Sequence, residues 1–205
     1  MIARTLETPI HGRFLHEDRG GERLLVGFHG YAETAEANLA QLEKIRGIER
    51  WSVAAVQALH PFYTGLGSVV ANWMTTLDRE LAIADNVEYV RRVVASLPVP
   101  RTLVFLGFSQ GVAMAVRAAA RSAPAAGLIL LGGDIPPDIT DDGAVVLPRT
   151  LLGRGTLDPW YDEEKFKKDL SYLERTTRVT PCVFDGEHEW TDEFREAVAT
   201  FLEAL

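Results

Sequence analysis

A single serine stands between two glycines in the stretch Gly107-Phe108-Ser109-Gln110-Gly111. An apolar run, Thr102–Phe108, leads into it, and a small, alanine-rich segment, Gln110–Arg121, follows. Gly-x-Ser-x-Gly, placed where a buried strand turns into a helix, is the pattern of a nucleophile elbow. The turn is so tight that bulky side chains two positions either side of the serine would collide, so glycine is needed at both. It holds the central residue in a strained conformation and lifts its hydroxyl above the sheet. A helix starting near Gln110 aims its first N–H groups at the same space, which suits a developing oxyanion.

A serine hydroxyl needs a base, and the base needs an acid to orient it. The histidines are His11, His16, His29, His60 and His188. His188, in "FDGEHEW", follows the last apolar run and precedes the last helical segment, which gives the chain order Ser…Asp…His. Two acids compete for the third position. Asp158 sits in "GRGTLDPW", where Gly155 frees the turn and Pro159 stiffens the residue after the acid; Asp134 sits in "LGGDIPPDI", a Pro-rich connection suited to a pocket wall. Asp158 is therefore favoured. Glu187 and Glu189 flank His188 too closely in sequence to orient its ring. His29-Gly30 precedes Tyr31, whose backbone N–H and that of Gln110 are the expected oxyanion donors, with Gly30 allowing close approach. His29 itself reads as a structural residue. Phe62, Tyr63, Leu66, Trp73, Met74, Trp160 and Tyr161 are candidates for an apolar substrate pocket, Trp73 foremost among them.

These residues need a scaffold that gathers them. Short apolar runs at Leu24–Phe28, Ser52–Val56, Thr102–Phe108, Gly127–Leu131, Thr150–Leu152 and Val179–Phe184 read as buried strands. Helical periodicity fills Ala35–Arg46, Leu77–Leu97, Gln110–Arg121, Asp162–Arg175 and Thr191–Leu205. Such alternation predicts an α/β fold with a mostly parallel sheet covered by helices on both faces. The strands are apolar throughout, as burial on two sides requires. The start, around Pro9–Leu15 and the turn-like Glu17–Gly21, reads as an antiparallel edge strand and hairpin. Gln57–Thr75 reads as a long loop. Reactive groups gather at the carboxyl ends of strands in such sheets, where Tyr31, Ser109, Asp134, Asp158 and His188 all fall.

The chain has 205 residues, 47% of them hydrophobic, which fits one domain over residues 1–205 with a sizeable core. Its net charge of −8 argues against a nucleic-acid binder and against adhesion to anionic lipid. The lone Cys182 permits no internal disulfide and no cysteine-based metal cluster. There is no signal-peptide pattern at the start and no apolar run long enough for a membrane span. Cytoplasmic localisation is expected, with the protein a monomer or homodimer.

The stretches "FHGYAE", "GFSQGVAMA", "GTLDPWY" and "DGEHEW" resemble the α/β-hydrolase superfamily. More narrowly, they resemble the phospholipase/carboxylesterase family that includes acyl-protein thioesterases. The resemblance runs from about Leu24 to the C-terminus. It implies a compact serine hydrolase without a lid domain and without a cofactor, acting on carboxylic esters or thioesters. Ser109 would be the nucleophile, His188 the base, Asp158 the acid, and Tyr31 and Gln110 the oxyanion donors. The chain departs from the family pattern with Tyr31, Ala32 and Glu33 where leucine, glycine and aspartate are usual. Val112 replaces a second glycine after the elbow, and Trp160-Tyr161 replace smaller residues after the acid. This bulk implies short or medium acyl groups. The same triad would equally serve a peptidase, an amidase or an acyltransferase, and a non-catalytic binding module on this fold is the alternative from another class.

Overall fold

The computed structural model describes residues 1–65 and 67–205. In chain order its elements are β1 (Phe14–Glu17), β2 (Arg23–Phe28), α1 (Ala35–Leu42), β3 (Ser52–Val56), β4 (His60–Thr64), β5 (Ser68–Asn72), α2 (Arg79–Ser96) and β6 (Thr102–Phe108). They continue with α3 (Gln110–Arg121), β7 (Gly127–Leu131), α4 (Pro137–Thr140), β8 (Thr150–Gly155), α5 (Glu163–Thr176), β9 (Val179–Phe184) and α6 (Asp192–Glu203).

Seven strands form one sheet in the order β1-β3-β2-β6-β7-β8-β9. Every pair is parallel except β1 with β3. Successive strand residues point to opposite faces, and both faces are covered. Val26, Phe105 and Leu130 meet Val90 of α2, Val116 of α3 and Leu173 of α5 on one side. Leu25, Val104 and Ile129 meet Leu42 of α1 and Val198 of α6 on the other. β6 lies at the centre, so its carboxyl end opens in the middle of the sheet edge. Thr34, Asp162 and Thr191 cap α1, α5 and α6, each side chain accepting an N–H of the first turn. No described helix is long and apolar enough to cross a membrane.

Three sequence expectations change. The N-terminal edge strand is antiparallel as expected, but it makes no hairpin with β2; it pairs with β3, Phe14 opposite Val56. β2 has β3 and β6 on its two sides, so the outer edge of β3 is the one left to pair. The helix expected over Ala35–Arg46 ends at Leu42, and a short 3-10 turn, Ile48–Arg50, follows Gly47 at φ 82°. The stretch Gln57–Thr75 is not one loop: β4 and β5 form a separate antiparallel hairpin within it, His60 opposite Asn72. Leu66, one of the pocket candidates, lies outside the described residues.

Candidate active site

Ser109 follows β6 and caps α3 with φ 54° and ψ −122°, a conformation a non-glycine residue adopts only under constraint. Its own amide is fixed by Leu131 O at 2.8 Å, and its carbonyl accepts Val112 N–H at 3.0 Å. The flanking glycines are required by contact. A Cβ on Gly107 would lie 2.4 Å from Gly111 O, and one on Gly111 would lie 2.2 Å from Phe28 O. The second contact is with β2, so the elbow is tight against its neighbouring strand as well as within itself.

The acid and the histidine meet further along the same sheet edge, after β8 and β9. His188 Nδ1 and Asp158 Oδ2 are 2.7 Å apart, and the Asp158 side chain is almost wholly buried. Asp158 Oδ1 accepts the N–H groups of Trp160 and Tyr161, each at 2.8 Å. The carboxylate is thus held at both oxygens. A donating Nδ1–H leaves Nε2 as the basic nitrogen of the ring. The ring packs on Phe108, with centroids 5.0 Å apart. Glycines again make the fit. A Cβ on Gly132 would lie 3.1 Å from His188 Cε1 and 3.2 Å from Asp158 Oδ2; one on Gly155 would lie 2.2 Å from Glu187 O. Gly155 therefore brings the 186–188 loop down onto the end of β8. Asp134, the competing acid, lies on the groove rim with its carboxylate 3.8 Å from Lys165 Nζ.

Neither the Ser109 hydroxyl nor His188 Nε2 has a hydrogen-bond partner among the described residues, so the expected bond between them is not made in this structure. Bonds of this kind tighten in the transition-state complex. The Tyr31 and Gln110 amides likewise have no acceptor among the described residues.

The loop that carries Tyr31 is pinned from several sides. His29 Nδ1 donates to Gly30 O at 2.7 Å and Nε2 accepts Ala58 N–H at 3.0 Å. Burial pushes the His29 pKa down, which keeps the ring neutral and suited to this pair of bonds. Ala32 N–H donates to Ala71 O at 3.0 Å, and Ala71 N–H to Glu33 O at 2.9 Å, tying the loop to β5. Trp73 completes the support: its indole N–H donates to His29 O at 2.8 Å and its ring is wholly buried. Trp73 thus cannot line an open substrate pocket. Its signal in the sequence, an aromatic at the end of a long connection, did not distinguish a wall from a prop. The Gln110 side chain joins the same framework, accepting Trp73 N–H and donating to Met74 O, both at 2.9 Å.

A cavity of about 730 Å³ opens beside Ser109, with Met74, Gln110, Pro136 and Trp160 among its walls. Trp160 is 71% exposed. Phe62 lies apart from this cavity, on the β4–β5 hairpin, with its ring 5.5 Å from that of Tyr31. Tyr161 is buried, its hydroxyl donating to Asp169 at 2.9 Å. Asp134 borders the cavity, as its Pro-rich connection suggested, and so do charged groups the sequence did not single out: Arg79, Lys165, Lys168 and the buried Asp169. The pocket is therefore more polar than the aromatic candidates suggested. Among the described residues no three His, Cys, Asp or Glu side chains come together as a metal site.

No family model and no curated protein sequence matches this chain. Solved structures do. A carboxylesterase from Bacillus cereus matches with a TM-score of 0.72 at 16% identity, covering 94% of each chain. A phospholipase/carboxylesterase from Dyadobacter fermentans matches with a TM-score of 0.72 at 20% identity, over 94% of this chain and 97% of the other. Acyl-protein thioesterase 2 from Zea mays matches with a TM-score of 0.71 at 15% identity, over 95% and 99%. At these identities the likeness is one of fold, and the chain has the α/β-hydrolase architecture.

Proposed function

We propose that this protein is a serine hydrolase of carboxylic esters. The observation that carries the reading is the strained Ser109 at the centre of the sheet edge, beside a His188 already held by a buried Asp158. Ser109 Oγ attacks the ester carbonyl while His188 Nε2 takes its proton. Asp158 keeps the proton on Nδ1 and offsets the charge of the imidazolium. The Tyr31 and Gln110 amides receive the oxyanion, a contribution of about 3–4 kcal/mol for a single donor. Collapse of the tetrahedral intermediate expels the alcohol, which takes the proton from His188. Water, activated by the same ring, then releases the acid from Ser109. Carboxylesterases and thioesterases among the structural neighbours support the ester or thioester as substrate class. The chain would act as one domain, on small-molecule substrates.

A fluorophosphonate probe tests this. Brief treatment should label Ser109 and no other serine, as read by intact mass and peptide mapping. Ser109→Ala should abolish the adduct and lower turnover of p-nitrophenyl butyrate by at least ~1,000-fold. A folded protein that takes no label and turns over no ester refutes the assignment.

A further inference from the structure

Glu33 is a carboxyl group of the site that the triad does not use. It lies on the oxyanion loop, two residues past Tyr31, half-buried. Its Oε2 accepts the Gly30 N–H at 2.6 Å. Gly30 separates it from the nucleophile: a Cβ on Gly30 would lie 3.1 Å from Glu33 Oε2 and 3.2 Å from Ser109 Cβ. So the carboxyl group and the serine flank the same α-carbon. The Gly30 carbonyl is already taken by His29 Nδ1, and the far end of the loop is taken by Ala71. The Glu33 bond supplies the remaining restraint on the peptide that precedes Tyr31.

We infer that Glu33 is a positioning residue: it holds the His29–Gly30 peptide so that the next amide, Tyr31 N–H, faces the oxyanion formed at Ser109. This rests on the serine-hydrolase reading above. What the role needs is an acceptor at Oε2, and the charge is a separate matter. The charged or titratable groups near the carboxyl are His188, on the loop after β9, and the buried His29 on its own loop. β5 meets it through the backbone of Ala71 and the elbow through Ser109. No Arg or Lys pairs with it among the described residues. Burial pushes its pKa up, while the Gly30 N–H and the charge of protonated His188 act the other way.

Two substitutions separate the acceptor from the charge. Glu33→Ala removes both, and Glu33→Gln keeps an acceptor and removes the charge. With p-nitrophenyl butyrate, Glu33→Ala should lower kcat by roughly 10–100-fold, within the effect of losing one oxyanion donor, and leave KM within about twofold. Glu33→Gln should recover kcat to within about threefold of the native protein. A purely structural role would lower the Tm of Glu33→Ala and leave kcat per folded molecule unmoved. Native-like kcat in Glu33→Ala overturns the inference, and so does a Glu33→Gln protein with native Tm but the low kcat of Glu33→Ala. In both cases the serine-hydrolase reading stands. A native protein that hydrolyses no ester removes both.

Discussion

Asp169 offers a test whose size follows from its surroundings. It sits on α5, 2% exposed, at the edge of the cavity that holds Ser109. Its Oδ2 accepts the Tyr161 O–H at 2.9 Å and the Ile135 N–H at 3.1 Å. Burial above all, with the charge of Asp134, pushes its pKa from an ordinary 3.8 up to about 6, against these bonds and Lys168. The folded protein thus binds this proton more tightly than the unfolded chain does. Its contribution to stability is complete below the unfolded pKa and is lost as pH rises through the folded one. The gap between 3.8 and about 6, at ~1.36 kcal/mol per pH unit, is worth about 3 kcal/mol. Asp169→Asn keeps a carbonyl oxygen for both donors and never ionises. Relative to the native protein, the variant should therefore gain about 3 kcal/mol between pH 4 and pH 7.5. Urea unfolding of both proteins, followed by tryptophan fluorescence across that range, measures the gain. Groups that titrate alike in both cancel in the difference. A difference between the two proteins that stays constant from pH 4 to pH 7.5 would refute the argument that burial, uncompensated by a cation, governs this acid.

The elbow makes a second prediction. Gly111→Ala places a methyl 2.2 Å from Phe28 O and 2.6 Å from His29 O, both backbone atoms, and should destabilise by at least about 2 kcal/mol and slow fluorophosphonate labelling of Ser109. Gly143, with nothing within 4 Å of its added Cβ, is the control for which Ala should be tolerated. Native denaturation and labelling in Gly111→Ala would show that the close approach of α3 to β2 is unnecessary. For substrates, the charged border formed by Arg79, Lys165, Lys168 and Asp134 predicts that butyryl esters outpace hexadecanoyl esters. A roughly tenfold difference in kcat/KM corresponds to about 1.4 kcal/mol of transition-state binding, and faster turnover of the long-chain ester at matched solubility would count against it.

The sequence by itself determined the layout. Continuous apolar strands alternating with amphipathic segments admit little besides a doubly covered parallel sheet. Within that frame, Ser109, Asp158 and His188 each follow a strand, at the edge where loops converge. The need for glycine at 107, set across the turn by Gly111, was legible as well, whereas the contact that demands glycine at 111 comes from Phe28 of β2, distant in the chain. The tertiary structure decided whatever depends on partners distant in the chain. Which strand edge β1 would join was settled by the edge left open on β3. The β4–β5 hairpin was hidden because its strands are only partly buried and lack the unbroken apolar run that marked the others. Trp73, read as a substrate wall, became a prop because its indole finds His29 O on another segment. Gly132 carries no sequence signal of function and Gly155 only that of a freed turn; the packing of His188 and its loop against them gives their missing side chains a further purpose. Asp169 was an ordinary acid in the sequence, and Glu33 stood out only as a departure from the family pattern. Burial beside the catalytic groups, a property of the folded assembly and of no single stretch of chain, is what made them titrate away from their usual range.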